Sequence, residues 1–224
     1  MFPTVQTSII GRRRIIVQRN MYSFGYDITT HKYKIVALSF LWYRRAFKVC
    51  IYTLGSDPTN SWKRIQDFPD RGSISEMGLF VSGTINWLVS GHIVSLNLAT
   101  ETYQQLLLPT TTREGHVTLG VLKDCLCIFG SSNMSMVDVW IMKEFGNNES
   151  WINLYSVPYM RGDEVRNAKV LYVTEDDHLL MYCVYLKSKA LVVYDSRNGT
   201  FNMSELQHYR WWDPIVYFES FISP

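Results

Sequence analysis

The chain has 224 residues, 47% of them hydrophobic and 14% aromatic, with 22 Lys and Arg against 20 Asp and Glu for a formal net charge of +2. That length and apolar content suffice for one domain with a sizeable buried core. So small a net charge speaks against nucleic acid or an acidic membrane as the main partner, and no stretch approaches the ~18 apolar residues of a membrane-spanning helix.

In chain order, residues 1–20 hold no apolar run long enough for a secretory signal, and their Arg12-Arg13-Arg14 cluster is expected to be a solvated arm. From residue 21 onward, short apolar runs alternate with turns of two to five residues, the pattern of hairpins. Asp27 opens the first turn, with Thr30 three residues on and Tyr33 six residues on. Asn97, Thr100 and Tyr103 repeat this spacing, as do Asp195, Asn198 and Phe201. A short Asp or Asn side chain accepts hydrogen bonds from the turn's own backbone, and the aromatic ring starts the returning strand. Further turns are expected at Ser82-Gly83, Lys123-Asp124 and Asp176-Asp177, each between apolar runs. No apolar set keeps a 3.6-residue period for three turns. The one helical candidate is Ser204 to Trp211, with Ser204 as its cap.

One module occurs twice, as SWKRIQDFP at Ser61 to Pro69 and SWINLYSVP at Ser150 to Pro158, each after a short strand (Val49 to Leu54, Val137 to Met142). Together these signals define units of about 40 residues, the size of a four-stranded propeller blade. They run from Tyr22 to Pro69, Gly78 to Pro109, Val117 to Pro158 and Ala168 to Leu206. The runs Cys125 to Phe129 and Ala190 to Tyr194 have no polar face and are expected to be covered on both sides. Trp62 and Trp151 are expected to anchor blade packing, a Trp ring removing roughly 150–250 Å² from water.

Chemistry-bearing motifs are absent from the reading. Cys50, Cys125, Cys127 and Cys183 lack CxxC or His spacing for a metal and read as reduced, buried thiols. The five His stand far apart with no nucleophile motif beside them, and the glycines form no phosphate loop. Asp176 and Asp177, adjacent in a turn, point apart and are read as solvated. No catalytic residue, cofactor or metal is predicted.

The strings FGYDITTHKYKIV (Phe24 to Val36), SWKRIQDFP, GLFVSGTINWL (Gly78 to Leu88), IVSLNLATETYQQLLLP (Ile93 to Pro109), LGVLKDCLCI (Leu119 to Ile128), VDVWIMKEFG (Val137 to Gly146), ESWINLYSVPY (Glu149 to Tyr159), LVVYDSRNGTF (Leu191 to Phe201) and the final YFESFISP, in this order, resemble the F-box associated domain of plant F-box/kelch-repeat proteins. The resemblance implies an all-β, kelch-like propeller serving as substrate receptor of a ubiquitin ligase. Such a receptor is not an enzyme: it holds a client protein near the ubiquitin-charged enzyme, so its contribution is proximity. The family's F-box, with its Leu-Pro-x-Glu/Asp opening, and its Cys-Asn-Gly-Leu and Trp-Asn-Pro segments have no counterpart in Met1 to Asn20. The expectation is therefore an incomplete propeller: about four full blades in residues 21–224, the terminal strand Ile215 to Ile222, and residues 1–20 as an arm or partial blade. Such a chain binds a client and reaches the ligase adaptor only if an F-box is supplied.

For the partner-binding surface, the aromatic and Arg-rich segments Trp42, Tyr43, Arg44, Arg45 and His208, Arg210, Trp211, Trp212 carry the residue types enriched at interface hot spots. The expected setting is cytoplasm or nucleus, without nucleic-acid or membrane partners. Two other classes stay open: a propeller hydrolase or oxidase, and a glycan-binding propeller, because fold alone does not fix function.

Overall fold

The computed structural model describes residues 8–10, 13–15, 20–41, 45–55, 62–74, 77–109, 117–130, 136–158, 165–185 and 188–205. Two compact units divide the chain, Met1–Leu108 and Pro109–Pro224. In the first, β1 (Ser8–Ile10) and β2 (Arg13–Ile15) pair with each other, forming a two-stranded sheet within the segment expected to be an arm or partial blade. A four-stranded antiparallel sheet follows, of β3 (Asn20–Asp27), β4 (Lys32–Leu41), β5 (Ala46–Thr53) and β6 (Lys63–Arg64). The next comprises β7 (Leu79–Val81), β8 (Thr84–Val89), β9 (His92–Asn97) and β10 (Tyr103–Leu107).

The second unit repeats the plan. Its first sheet holds β11 (Val117–Leu122), β12 (Cys125–Gly130), β13 (Met136–Met142) and β14 (Trp151–Pro158), with a short 3-10 turn at Asn148–Ser150. Its second holds β15 (Val165–Val173), β16 (His178–Tyr185), β17 (Lys189–Asp195) and β18 (Thr200–Glu205). Each sheet is a meander of neighbouring strands, the form of a propeller blade, and the four lie where the sequence units predict. The terminal strand expected at Ile215 to Ile222 lies outside the described residues.

Turn chemistry sets the hairpin registers. Ser82-Gly83 and Lys123-Asp124 have positive φ at both central positions, the backbone whose twist matches flanking strands in a two-residue hairpin. The three longer turns follow one design. Asp27 accepts from Thr29 N at 2.9 Å, Asn97 from Ala99 N at 2.9 Å and Thr100 N at 3.0 Å, and Asp195 from Arg197 N at 2.9 Å. In each, the residue four positions on is left-handed: His31, Glu101 and Gly199. The caps predicted from spacing alone are therefore present.

Each unit buries its own core. In the first, Val36, Leu38, Val49 and Ile51 meet Ile85, Trp87, Val94 and Leu96 between the two sheets, with Phe68 and Ile74 from the connecting chain. The Phe68 ring lies edge-on to Trp87, centroids 5.5 Å apart, and 5.8 Å from Phe47. Gly25 permits the close approach of β3: a Cβ there would stand 2.6 Å from Phe80 Cδ2 and 2.7 Å from Leu98 Cδ1. In the second unit, Cys127, Phe129, Val139 and Val157 meet Val170, Leu179, Met181 and Val192.

Three expectations need correction. Trp151 is buried, but Trp62 is half-buried and lies against Tyr22 and Tyr52 of its own sheet, so it does not serve as an inter-sheet anchor. Phe68 takes that place. The run Ala190 to Tyr194 is covered on one face only, since Val193 is 40% exposed while Ala190 and Val192 are buried. Lastly, Ser204 pairs with Leu191 within β18 and caps no helix; Leu206 to Trp211 lie outside the described residues.

Candidate protein-binding surface

The first sheet has two unlike faces because β3 alternates strictly. Met21, Ser23, Gly25 and Asp27 point to the core, while Tyr22 and Phe24 point away and are 38% and 54% exposed. Register carries this outward face across the sheet: Tyr22 stands opposite Ala37 and then Cys50, Phe24 opposite Ile35 and then Tyr52, and Tyr26 opposite Tyr33. Phe24 stacks on Tyr33 with centroids 5.1 Å apart and planes 12° from parallel, and Tyr26 adds a contact to Tyr33 at 5.0 Å. Trp62 extends the row, 5.6 Å from Tyr52 and 6.4 Å from Tyr22. Tyr33 is 50% exposed. Contiguous exposed rings of this kind mark interaction surfaces, whereas single exposed apolar residues do not.

A buried ion pair holds the hairpin beneath this row. Lys34 Nζ lies 2.8 Å from Asp27 Oδ2, with side chains 8% and 1% exposed, and donates to Leu98 O at 2.6 Å. Thr29 and Thr30 hydroxyls donate to the same carboxylate at 2.7 and 2.9 Å. Burial alone would raise the Asp27 carboxyl, but the Lys34 ammonium and the Thr29 and Thr30 donors together hold it well below the usual carboxylate range. The Leu98 contact fastens β4 to the chain leaving β9.

A separate recess of about 210 Å³ lies in the same unit, lined by Pro69, Asp70, His92, Val94, Tyr103, Gln104 and Gln105. His92 Nε2 stands 3.0 Å from Asp70 Oδ2, and Tyr103 donates its hydroxyl proton to Gln66 O at 3.1 Å. Burial, and secondarily the Asp67 charge, push the Tyr103 phenol up, so it stays a neutral donor at physiological pH. Among the described residues, no group of three or more His, Cys, Asp and Glu is placed to hold a metal ion. Burial raises the thiols of Cys127 and Cys183, the latter to about 11, which suppresses thiolate chemistry. Cys50 and Cys125 are half-buried and, like the other two, free of disulfides.

Of the residues singled out from sequence, Arg45 is exposed in the turn between β4 and β5 with φ 48°. Trp42, Tyr43 and Arg44 lie outside the described residues, as do His208, Arg210, Trp211 and Trp212. The outward row of Tyr22, Phe24, Tyr33 and Tyr52 was not singled out. Its signal was present as aromatics at every second position, 22, 24 and 26, separated by Ser23 and Gly25.

The fold and this surface stand beside a family match. A family model described as the F-box associated beta propeller domain covers residues 3–224. The chain belongs to this family. F-box/kelch-repeat protein At3g23880 of Arabidopsis thaliana is 29% identical over 216 residues, spanning 91% of this chain and 56% of the relative. F-box protein CPR1 of the same plant is 26% identical over 167 residues, 61% of this chain and 40% of the relative. F-box protein At3g07870 is 25% identical over 231 residues, 82% and 54%. The chain thus spans about half the length of the curated relatives it matches. Among the described residues, four four-stranded antiparallel sheets agree with propeller blades.

Proposed function

We propose that this chain is the client-binding part of an F-box type ubiquitin ligase receptor. The observation that carries this is the family match, which runs through all four sheets; its relatives are F-box proteins. In this reading the chain is no enzyme. It binds a client protein and acts by proximity, holding a client lysine near a ubiquitin-charged enzyme, while docking on the ligase adaptor belongs to an F-box. Its setting is the cytoplasm or nucleus. The rigid sheets suit that role, since meanders closed by capped turns present side chains at fixed positions.

Affinity capture from plant extract tests the proposal, using the chain as given and the same chain with a grafted F-box. Expected are shared client proteins in both captures, ligase adaptor only with the graft, and client ubiquitination that rises with the graft. Adaptor recovered equally by the ungrafted chain, or a graft that leaves ubiquitination of every captured protein unchanged, overturns it.

A further inference from the structure

The recess beside β9 and β10 is built by two segments that the sequence keeps apart. By register Tyr103 and Gln105 share a face with Val94 and His92, while Pro69 and Asp70 come from the chain that connects the first two four-stranded sheets. That chain is clamped in place: Ile74 bridges to Val89, Gly72 N donates to Asp70 Oδ1, and a Cβ at Gly72 would stand 2.9 Å from Val89 Cγ1. Tyr103 is held likewise, its ring edge-on to Phe68 with centroids 6.0 Å apart and its hydroxyl donating to Gln66 O. Walls fixed in this way cost a ligand little ordering.

The chemistry of the recess is one-sided. Among the described residues that line it, Asp70 is the one carboxylate and there is no Lys or Arg. Lys63 and Arg64 are engaged with Glu101 and Asp67, and Arg71, exposed beside Asp70, lies outside the lining. Asp70 Oδ2 and His92 Nε2 stand 3.0 Å apart, yet Nε2 is buried without a hydrogen-bond partner. With the ring proton on Nδ1, Nε2 is an acceptor, and the two atoms then offer lone pairs side by side with no donor between them. A planar fork of N–H donors meets both at once, whereas an ammonium is a point charge and a carboxylate is repelled. Gln104 and Gln105, both exposed, add amide oxygens at the rim; the Tyr103 ring offers a surface to a flat cation, and Val94, 2% exposed, offers apolar contact to methylenes. At about 210 Å³ the recess is smaller than the roughly 300–1,000 Å³ of small-molecule sites, a size for one side chain.

We infer that this recess receives one arginine side chain of a protein partner, its guanidinium meeting Asp70 Oδ2 and His92 Nε2 and its stem lying along Tyr103 and Val94. The inference rests on the receptor reading and gives the client a residue by which it is recognised.

The test uses the chain as given and short labelled peptides of one sequence whose central residue is Arg, Lys, citrulline or Glu, citrulline keeping the shape of arginine without its charge. Fluorescence anisotropy is expected to show the Arg peptide binding about tenfold more tightly than the Lys and citrulline peptides, with the Glu peptide weakest. Asp70→Asn keeps an oxygen for Gly72 N but removes the charge, and is expected to abolish the preference for Arg over citrulline. Gln105→Glu adds a carboxylate at the exposed rim and is expected to tighten the Arg peptide about threefold. Damage to the fold does not produce a gain, so this variant decides the matter if Asp70→Asn is unstable. Free arginine, added as competitor, is expected to displace the peptide only in large excess. Equal binding of the Arg and citrulline peptides, a folded variant without its effect, or displacement by free arginine at equal concentration overturns the proposal. Client capture unchanged by Asp70→Asn refutes this recess as the client's site while leaving the receptor reading intact. Arg-selective binding, with a grafted F-box that leaves ubiquitination of every captured protein unchanged, refutes the receptor reading instead.

Discussion

The two copies of the SW…P module place the same chemistry in unlike surroundings. In each, the residue before the final proline enters a core: Phe68 in the first unit and Val157 in the second, 5% and 1% exposed. In each, the third residue after Ser reaches the sixth, Arg64 Nη2 to Asp67 at 2.9 and 3.1 Å and Asn153 Nδ2 to Ser156 Oγ at 3.0 Å. Yet the second copy is an eight-residue strand and the first only two residues of strand. After β6, Ile65 N and Phe68 N still reach β5, donating to Val49 O and Phe47 O. The difference follows from what the first Trp finds. Trp151 is buried, whereas Trp62 lies over Tyr22 and Tyr52 on a face that stays open. Burial is thus assigned by neighbours distant in sequence, and one motif serves both a closed and an exposed sheet.

The largest effects should fall on the shared core position. Phe68→Ala removes a ring that touches Phe47, Trp87 and Tyr103, and is expected to cost about 3–5 kcal/mol, against about 2 for Val157→Ala, read from urea midpoints at constant slope. A reversed order would mean that the two copies do not share this role.

Next is the buried Lys34–Asp27 ion pair of the first unit. Asp27→Ala leaves the Lys34 ammonium buried without its carboxylate and is expected to cost about 3–5 kcal/mol. Because the folded carboxyl is depressed below its unfolded value, its contribution is fully present above the unfolded value of about 4 and is lost progressively as pH falls below it. Acid titration of stability should therefore steepen below that value in the parent and flatten there in the variant. Asp195, the equivalent cap in the second unit, is also depressed, chiefly by the Arg197 N–H, but its side chain is 20% exposed against 1% for Asp27, so its replacement should alter acid stability less.

The tryptophans sharpen the comparison directly. Trp151→Ala should cost about 3–5 kcal/mol and Trp62→Ala about 1, since the second ring loses only half-buried contacts. The smallest effect is a gain. Glu101 adopts the left-handed backbone that Gly199 adopts in the matching turn, so Glu101→Gly should stabilise by about 0.5–1 kcal/mol, offset in part by loss of its contact to Lys63. A midpoint that falls would show the ion pair outweighing the backbone term.

Much of the fold was legible in the residues because it rests on local chemistry. Asx caps at Asp27, Asn97 and Asp195 and two-residue turns at Ser82-Gly83 and Lys123-Asp124 act within a few residues, so spacing alone locates the hairpins and with them the four sheets. The candidate surface was less legible. Aromatic and Arg clusters contiguous in sequence stand out in the string, whereas strands assemble a face from alternate residues of neighbours, as Tyr22, Phe24, Tyr33 and Tyr52 do here. Nor do CLCIF and ALVVY differ as strings in a way that foretells coverage. Leu126, Cys127, Ile128 and Phe129 are all buried, while Val193 is 40% exposed.

By itself the sequence determined the hairpins of the four sheets and family membership, because turn hydrogen bonds and period-2 alternation are short-range and need no partner to be recognised. Only the tertiary structure decided which faces are covered, that Lys34 is spent on Asp27 and Leu98 while Lys48 remains on the outward face, and that Phe68 rather than Trp62 fills the first core. The physical reason is that burial is a property of two surfaces meeting, and the second surface lies tens of residues away along the chain.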